Sequence, residues 1–144
     1  MNIADVIRHK QSGGTEVFTI APSDTILALL AALAEHNVGA LVATDGDTVV
    51  GIVSERDVVR GIAADGIDIL DKPVEQIMTT DVVSCTGTDA LDSIAETMTQ
   101  RRIRHMPVID DGALRGIVSI GDVVSSRIRQ LEQDRGQLEQ YISG

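Results

Sequence analysis

The segments GIVSERD (residues 51–57) and GIVSIGD (residues 116–122) are two copies of one pattern, and they decide the fold. When the chain is shifted by 65 residues against itself, residues 17–59 align with residues 82–124 without a gap. Self-similarity at a fixed spacing is typical of proteins built from repeated units. The sequence therefore predicts two halves with the same fold.

Each half shows the same order of patterns, which predicts the elements β-α-β-β-α twice. A short alternating run leads to an aspartate, Asp24 or Asp89, that is placed to cap a helix with an apolar stripe. Two strands follow, and in the first half a closing helix is expected to begin near Ser54. The predicted strands are residues 17–20, 38–43 and 48–53 in the first half and residues 106–109 and 114–119 in the second.

The predicted fold class is mixed α/β (α+β), with a C-terminal amphipathic helix after the two repeats. We expect residues 1–66 to form the first half with its lead-in, residues 67–126 the second half, and residues 127–144 the helical tail. A half of about 60 residues has too little interior to be stable alone, so the halves should pack together. The tail is polar apart from a helically spaced set of side chains, Ile128, Leu131, Leu138 and Tyr141.

Composition argues against nucleic acid and membranes as partners. The 144 residues carry a net charge of −10 with one Phe, one Tyr and no Trp, so they repel phosphates and offer few surfaces for base stacking. The longest apolar run, residues 26–34, is about half of what a membrane span requires. A single cysteine cannot form an internal disulfide, and no secretion signal is apparent, so we expect a cytoplasmic protein.

The sequence offers no positive sign of catalysis or of a metal site. It contains no nucleophile paired with a base and no glycine-rich phosphate loop. His9 and His36 have no Cys or acidic partners at ligand spacing. We therefore expect a protein that is not an enzyme, binds no metal and requires no cofactor.

The repeat unit, the two segments quoted above and the run RRIRHMPVID (residues 101–110) resemble the CBS domain family, in particular small bacterial proteins that consist only of a CBS pair. The resemblance covers nearly the whole chain. It implies a pseudo-twofold module whose interdomain cleft holds up to two adenosine ligands, such as AMP, ADP, ATP, NAD or S-adenosylmethionine. AMP is the first expectation for this chain, with NAD or ATP as alternatives. Such modules regulate another protein, which the sequence does not identify.

The resemblance also assigns roles to the duplicated motif. It implies that Asp57 and Asp122 accept hydrogen bonds from ribose hydroxyls, and that Ser54 and Ser119 contact ribose or phosphate. The residue types suit this chemistry, because one carboxylate can accept two donors from a cis-diol. A strand-to-helix turn also presents free N–H groups and the positive end of a helix, which favour a phosphate.

The same spacing has a simpler explanation. A serine that caps a helix, followed by an acidic residue in the first turn, is a common helix N-terminus. Capping and ligand binding are compatible, so both interpretations stand at this point.

Further cleft residues follow from the resemblance alone. Arg104 and His105 are candidates for binding phosphate, although a solvated basic face or an ion pair between subunits would also explain them. Arg56 has Gly121 as its counterpart, and an exposed helical arginine is an equal interpretation. The strand entries are expected to hold adenine, although they also fit ordinary core strands. These strand and cleft positions are Thr19, Ile20, Ser84, Cys85, Met106, Pro107 and Ile117.

The two sites are expected to be unequal. Only the second half carries the basic residues Arg102, Arg104 and His105, where the first has Asn37, Gly39 and Ala40. The Asp122 site should therefore bind nucleotides more tightly than the Asp57 site. The competing interpretation is a structural or protein-interaction module with an empty or vestigial cleft. In either case the apolar stripe of the tail suggests a homodimer.

Overall fold

The computed structural model describes residues 1–10 and 17–143, and it confirms the mixed α/β fold and the duplication. A lead-in helix α1 (Ile3–Lys10) precedes the first repeat. The first repeat comprises β1 (Thr19–Ile20), α2 (Ile26–His36), β2 (Ala40–Asp45), β3 (Thr48–Ser54) and α3 (Glu55–Asp65). Two short 3-10 helices, Ile67–Asp71 and Val74–Gln76, lead into the second repeat. It comprises α4 (Leu91–Arg101), β4 (His105–Asp110), β5 (Ala113–Ser119) and α5 (Ile120–Ser143).

The two hairpins match in detail. Strands β2 and β3 pair antiparallel from Ala40 opposite Ser54, and β4 and β5 pair in the same way from His105 opposite Ser119. Each hairpin has its irregularity directly after an equivalent residue, Ala43 or Val108. The entry strands are shorter than predicted, since β1 has two residues beside β2 and the second half shows a single parallel bridge from Cys85 to Val108.

The prediction that Asp24 and Asp89 cap helices was wrong. Thr25 caps α2, since its hydroxyl accepts a hydrogen bond from Ala28 N at 3.1 Å, and α4 begins without a side-chain cap at Ala90. The two aspartates instead accept hydrogen bonds from residues three positions earlier in the chain, Ala21 N and Thr86 N. Short polar side chains often accept hydrogen bonds from nearby backbone N–H groups in turns. Here the two carboxylates bond to the turn before the helix and not to the N–H groups of the helix.

We call α1 and the two 3-10 helices the lead-ins of the first and second repeats, and each lead-in packs on the other half. Apolar residues of α1, including Ile3 and Val6, are buried in the core of the second half, and Ala4 N donates to Gly87 O at 2.8 Å. Conversely, Val74 is buried in the core of the first half, and its N–H donates to Asp24 O at 2.8 Å. The packing therefore crosses the boundary that we predicted between residues 66 and 67, and the boundary itself stays a prediction.

The closing helix of the second half and the predicted tail are one element. Helix α5 runs for 24 residues without a break at Gly136. Its first turns pack on the body through Val123 and Ser126, whereas every residue from 131 to 143 is exposed. Within the described ranges, no helix is both long enough and apolar enough to cross a membrane.

Candidate functional site

The first copy of the motif forms a strand-to-helix turn, residues 54–57, which we call the first turn. Ser54 ends β3 and caps α3, with an extended backbone at φ −128° and ψ 167°. Its N–H and hydroxyl both donate to Asp57 Oδ2, at 2.8 and 3.1 Å, and its Oγ accepts from Asp57 N at 3.4 Å. This reciprocal arrangement is a capping box, so the simpler interpretation of the spacing is confirmed here.

The second turn, residues 119–122, repeats this geometry. Ser119 N donates to Asp122 Oδ2 at 2.9 Å, and Asp122 N donates to Ser119 Oγ at 3.1 Å. Both aspartates are partly buried. The duplication thus places a carboxylate at a helix N-terminus twice, where the free N–H groups of the first turn favour negative charge.

Lys10 distinguishes the second turn, and the sequence analysis missed it. The ammonium of this last residue of α1 lies 2.8 Å from Asp122 Oδ2 and 2.8 Å from the carbonyl oxygen of Ile117. Burial on its own raises the pKa of Asp122, but the hydrogen bonds from Lys10 and Ser119 outweigh it, and the pKa lies below its ordinary value. The carboxylate that we expected to bind ribose is therefore ion-paired to the lead-in helix.

His105 lies where the two halves meet. A Cβ built on Gly39 would lie 3.2 Å from His105 Nε2 and 3.2 Å from Glu55 Oε1, so only glycine fits between them without adjustment. Burial lowers the pKa of His105, and the positive charge of Lys10 lowers it further. The negative charges of Asp122 and Glu55 act in the opposite direction. Charged groups of both turns, Glu55 and Asp122, therefore act on His105.

The remaining predicted residues divide into exposed and buried groups. Arg104 and Arg56 are exposed, and the backbone of Arg104 accepts a hydrogen bond from Ile120 N at 2.8 Å. Ile117 is partly buried and contributes the carbonyl that binds Lys10. At the strand entries Thr19 and Ser84 are exposed. The buried members of the set are Ile20, Cys85, Met106 and Pro107.

Cys85 and Met106 belong to the core of the second half. Cys85 N donates to Pro107 O at 2.9 Å, and burial, followed by the charges of Asp89 and Asp110, raises the pKa of the thiol to about 12. A neutral, buried thiol is a poor nucleophile. Cys85 is therefore a core residue, and of the two residues at this strand entry only Ser84 is exposed.

A separate cavity of about 320 Å³ lies between α1 and the second half. Ile7, Gly87, Val108 and Asp110 are among the residues that line it, and none of the predicted ligand residues does. It is therefore distinct from the turns. In the described part of the chain, no three His, Cys, Asp or Glu side chains are grouped so that they could hold a metal ion.

Comparison with known proteins agrees with the geometry. A model of the CBS domain family matches residues 4–64 and 74–129. The mitochondrial CBS domain-containing protein CBSX3 of Arabidopsis thaliana is 33% identical over 148 aligned residues, which cover 99% of this chain and 72% of that protein.

Two solved structures have the same architecture. The CBS-domain containing protein ATU1752 from Agrobacterium tumefaciens is 39% identical with a TM-score of 0.83, covering 88% of this chain and 99% of that one. The CBS domain pair of protein MJ0100, solved in complex with 5-methylthioadenosine and S-adenosyl-L-methionine, is 25% identical with a TM-score of 0.76, covering 92% and 98%. The chain therefore belongs to the CBS domain family and carries two CBS domains in tandem.

Proposed function

We propose that this chain is a regulatory module that binds adenosine-containing nucleotides at its two turns, with AMP as the first candidate and ADP, ATP or NAD as alternatives. One observation carries the proposal. Asp57 and Asp122 are partly buried carboxylates, each hydrogen-bonded to the serine that caps the following helix. The same arrangement occurs twice in a gapless repeat.

The chemistry of the turns supports a nucleotide. A carboxylate accepts hydrogen bonds from vicinal ribose hydroxyls, and the charge strengthens each bond. A phosphate is stabilised by the N–H groups at the start of α3 or α5 and by the helix dipole. Arg104 and His105 add donors beside the second turn. One turn can thus bind both ends of a nucleoside monophosphate.

The comparisons support adenosine as the shared element. Protein MJ0100 was solved with two ligands that both contain adenosine. The absence of catalysis and of a required cofactor, and a cytoplasmic location, stay predictions. The regulated partner, which we expect to be another protein, is equally a prediction.

Mass spectrometry of the ligand that co-purifies with the natural protein, followed by calorimetric titration, tests the proposal. We expect an adenosine compound in the first measurement. In the second, we expect AMP to bind at least about tenfold more tightly than GMP or CMP, which corresponds to about 1.4 kcal/mol of discrimination. Equal affinities for AMP and GMP, or no binding of any adenosine compound at millimolar concentration, would contradict it.

We also propose that the chain forms a homodimer through α5. The exposed apolar residues Val124, Ile128, Leu131, Leu138 and Ile142 recur on one side of this helix at alternating spacings of about three and four residues, with Arg135 filling the gap. Tyr141, which the sequence analysis included in the stripe, lies beside it and is 85% exposed. A helix end with every side chain in solvent is only marginally stable in water. A second copy of α5 would cover this stripe.

Sedimentation at tens of micromolar protein measures the dimer. We expect twice the chain mass of 15.3 kDa. Leu131→Glu should shift the protein to monomer, because it places a charge in the shared stripe. Gln137→Glu, on the opposite side of the exposed helix, should leave the dimer intact. A natural protein that sediments at 15.3 kDa would reject the dimer.

A further inference from the structure

The two lead-ins reach equivalent carbonyl groups with different chemistry. In the first half, Ile52 O accepts a hydrogen bond from the backbone N–H of Thr79 at 2.9 Å, and Ile52 N donates back to Thr79 O at 3.0 Å. In the second half, the equivalent Ile117 O accepts from the side-chain ammonium of Lys10 at 2.8 Å. The pair of backbone hydrogen bonds at Ile52 thus has no copy at Ile117, where the ammonium of Lys10 is the donor instead.

The charge lies at the second turn. Lys10 Nζ is also 2.8 Å from Asp122 Oδ2, the same oxygen that accepts from Ser119 N. In the other lead-in, aligning Ile3, Val6 and Ile7 with Val74, Ile77 and Met78 places Asp81 at the position of Lys10. The alignment thus pairs Lys10 with Asp81, whereas the contacts pair it with Thr79, and neither counterpart carries a positive charge.

The start of α5 tolerates a small added group at Gly121. Apart from its two chain neighbours and the helix backbone, a Cβ built on Gly121 would meet Ser119 Oγ alone among the described residues, at an ordinary contact distance of 3.6 Å. The counterpart of Gly121 at the first turn is Arg56, whose side chain is large. Asp122 belongs to the first helical turn of α5, so the ammonium of Lys10 lies beside the N-terminus of that helix, where free N–H groups favour an anion.

We propose that Lys10 makes the second site selective for nucleosides that carry a phosphate, over uncharged nucleosides and cationic ones. This rests on the proposed function. Ribose hydroxyls that donate to Asp122 compete with Lys10 for the carboxylate. An uncharged nucleoside that takes over the carboxylate leaves the ammonium without its partner, at the cost of a charge-assisted hydrogen bond.

A phosphate removes that cost. It accepts hydrogen bonds from Lys10 while the ribose binds Asp122, so both charges keep a partner. A cationic ligand such as S-adenosylmethionine adds a positive charge beside Lys10, and the two charges repel each other. The second site therefore ranks AMP above adenosine, and adenosine above S-adenosylmethionine.

Calorimetric titration with AMP and with adenosine tests this ranking. The natural protein, Lys10→Met and Lys10→Arg are compared with Arg8→Met, a control that removes one positive charge from the same helix. Each is also measured with Asp57→Ala, which restricts ribose binding to the second turn. In the natural protein AMP should bind at least about tenfold more tightly than adenosine, as expected for one charge-assisted hydrogen bond.

In Lys10→Met that preference should fall to about threefold or less, because AMP loses a partner and adenosine no longer competes with the ammonium. Lys10→Arg and Arg8→Met should retain most of it. An unchanged preference in Lys10→Met, or an equal loss in Arg8→Met, overturns the proposal while the proposed function stands. If the natural protein binds no adenosine compound, the proposed function fails, and this proposal fails with it.

A second readout does not depend on the ligand. The pKa of His105, followed by NMR, should rise in Lys10→Met because a nearby positive charge is gone. The other charged groups that act on His105, namely Asp122, Glu55 and Arg104, are unchanged in this variant. An unchanged pKa of His105 would mean that Lys10 does not lie at the second site in solution, and it would overturn the proposal.

Discussion

The first and second turns have nearly the same backbone geometry and different surroundings. In both, the capping serine donates its N–H to Oδ2 of the aspartate, at 2.8 Å in the first and 2.9 Å in the second. The lead-in that reaches the first half ends in a backbone bridge, whereas the one that reaches the second half delivers Lys10 to Asp122. The duplicated turns are thus alike, and the segments that precede the two repeats give them different surroundings.

The difference is chiefly one of charge. At the second turn, the ammonium of Lys10 lies 2.8 Å from the carboxylate of Asp122. The first turn carries two acidic residues, Glu55 and Asp57, and one exposed basic residue, Arg56. Because an anionic ligand is attracted to the more positive of two similar sites, a nucleotide phosphate should prefer the second.

The largest effect that we expect tests the backbone bridge at the first site. Gly51 is buried in β3, and a Cβ there would lie 2.7 Å from Met78 Sδ and 3.0 Å from Thr79 O. Gly51→Ala therefore pushes the lead-in away from the first half. We expect the free energy of unfolding, measured with urea, to fall by about 1–3 kcal/mol, as for other overpacked cores.

Two comparisons sharpen that measurement. Gly136→Ala is the same substitution on α5, where a Cβ meets no described residue within 4 Å beyond its neighbours in the helix, and it should stabilise the protein by up to about 1 kcal/mol. Lys10→Met removes the corresponding contact of the second half, an ion pair with side chains 40% and 22% exposed. It should cost less than about 1 kcal/mol. If Gly51→Ala leaves the free energy of unfolding unchanged, the contact of the lead-in with the first half contributes no more to stability than the Lys10 ion pair does.

The duplicated fold could be predicted because each half confirms the other. The gapless alignment of residues 17–59 with residues 82–124 placed both hairpins, and the Ser54 and Ser119 turns followed from it. The helix caps could not be assigned, since Asp24 and Asp89 have a choice between the helix and the preceding turn. The pattern alone does not decide that competition.

The lead-in exchange could not be predicted either. Apolar residues such as Ile3 and Val74 indicate that a segment is buried, but not in which half. The contact of Lys10 with Asp122 could not be predicted either, because 112 residues separate the two in the sequence. Only the folded chain brings the two together. The ligand contacts of the candidate residues remain predictions.

The most direct test of the account is calorimetric titration of AMP into the natural protein, Asp57→Ala and Asp122→Ala. Losing a charge-assisted hydrogen bond costs about 1.5 to 3 kcal/mol, so Asp122→Ala should weaken AMP binding about tenfold or more. Asp57→Ala should weaken it less, because the phosphate prefers the site where Lys10 lies beside the carboxylate. A larger loss from Asp57→Ala than from Asp122→Ala would contradict the account.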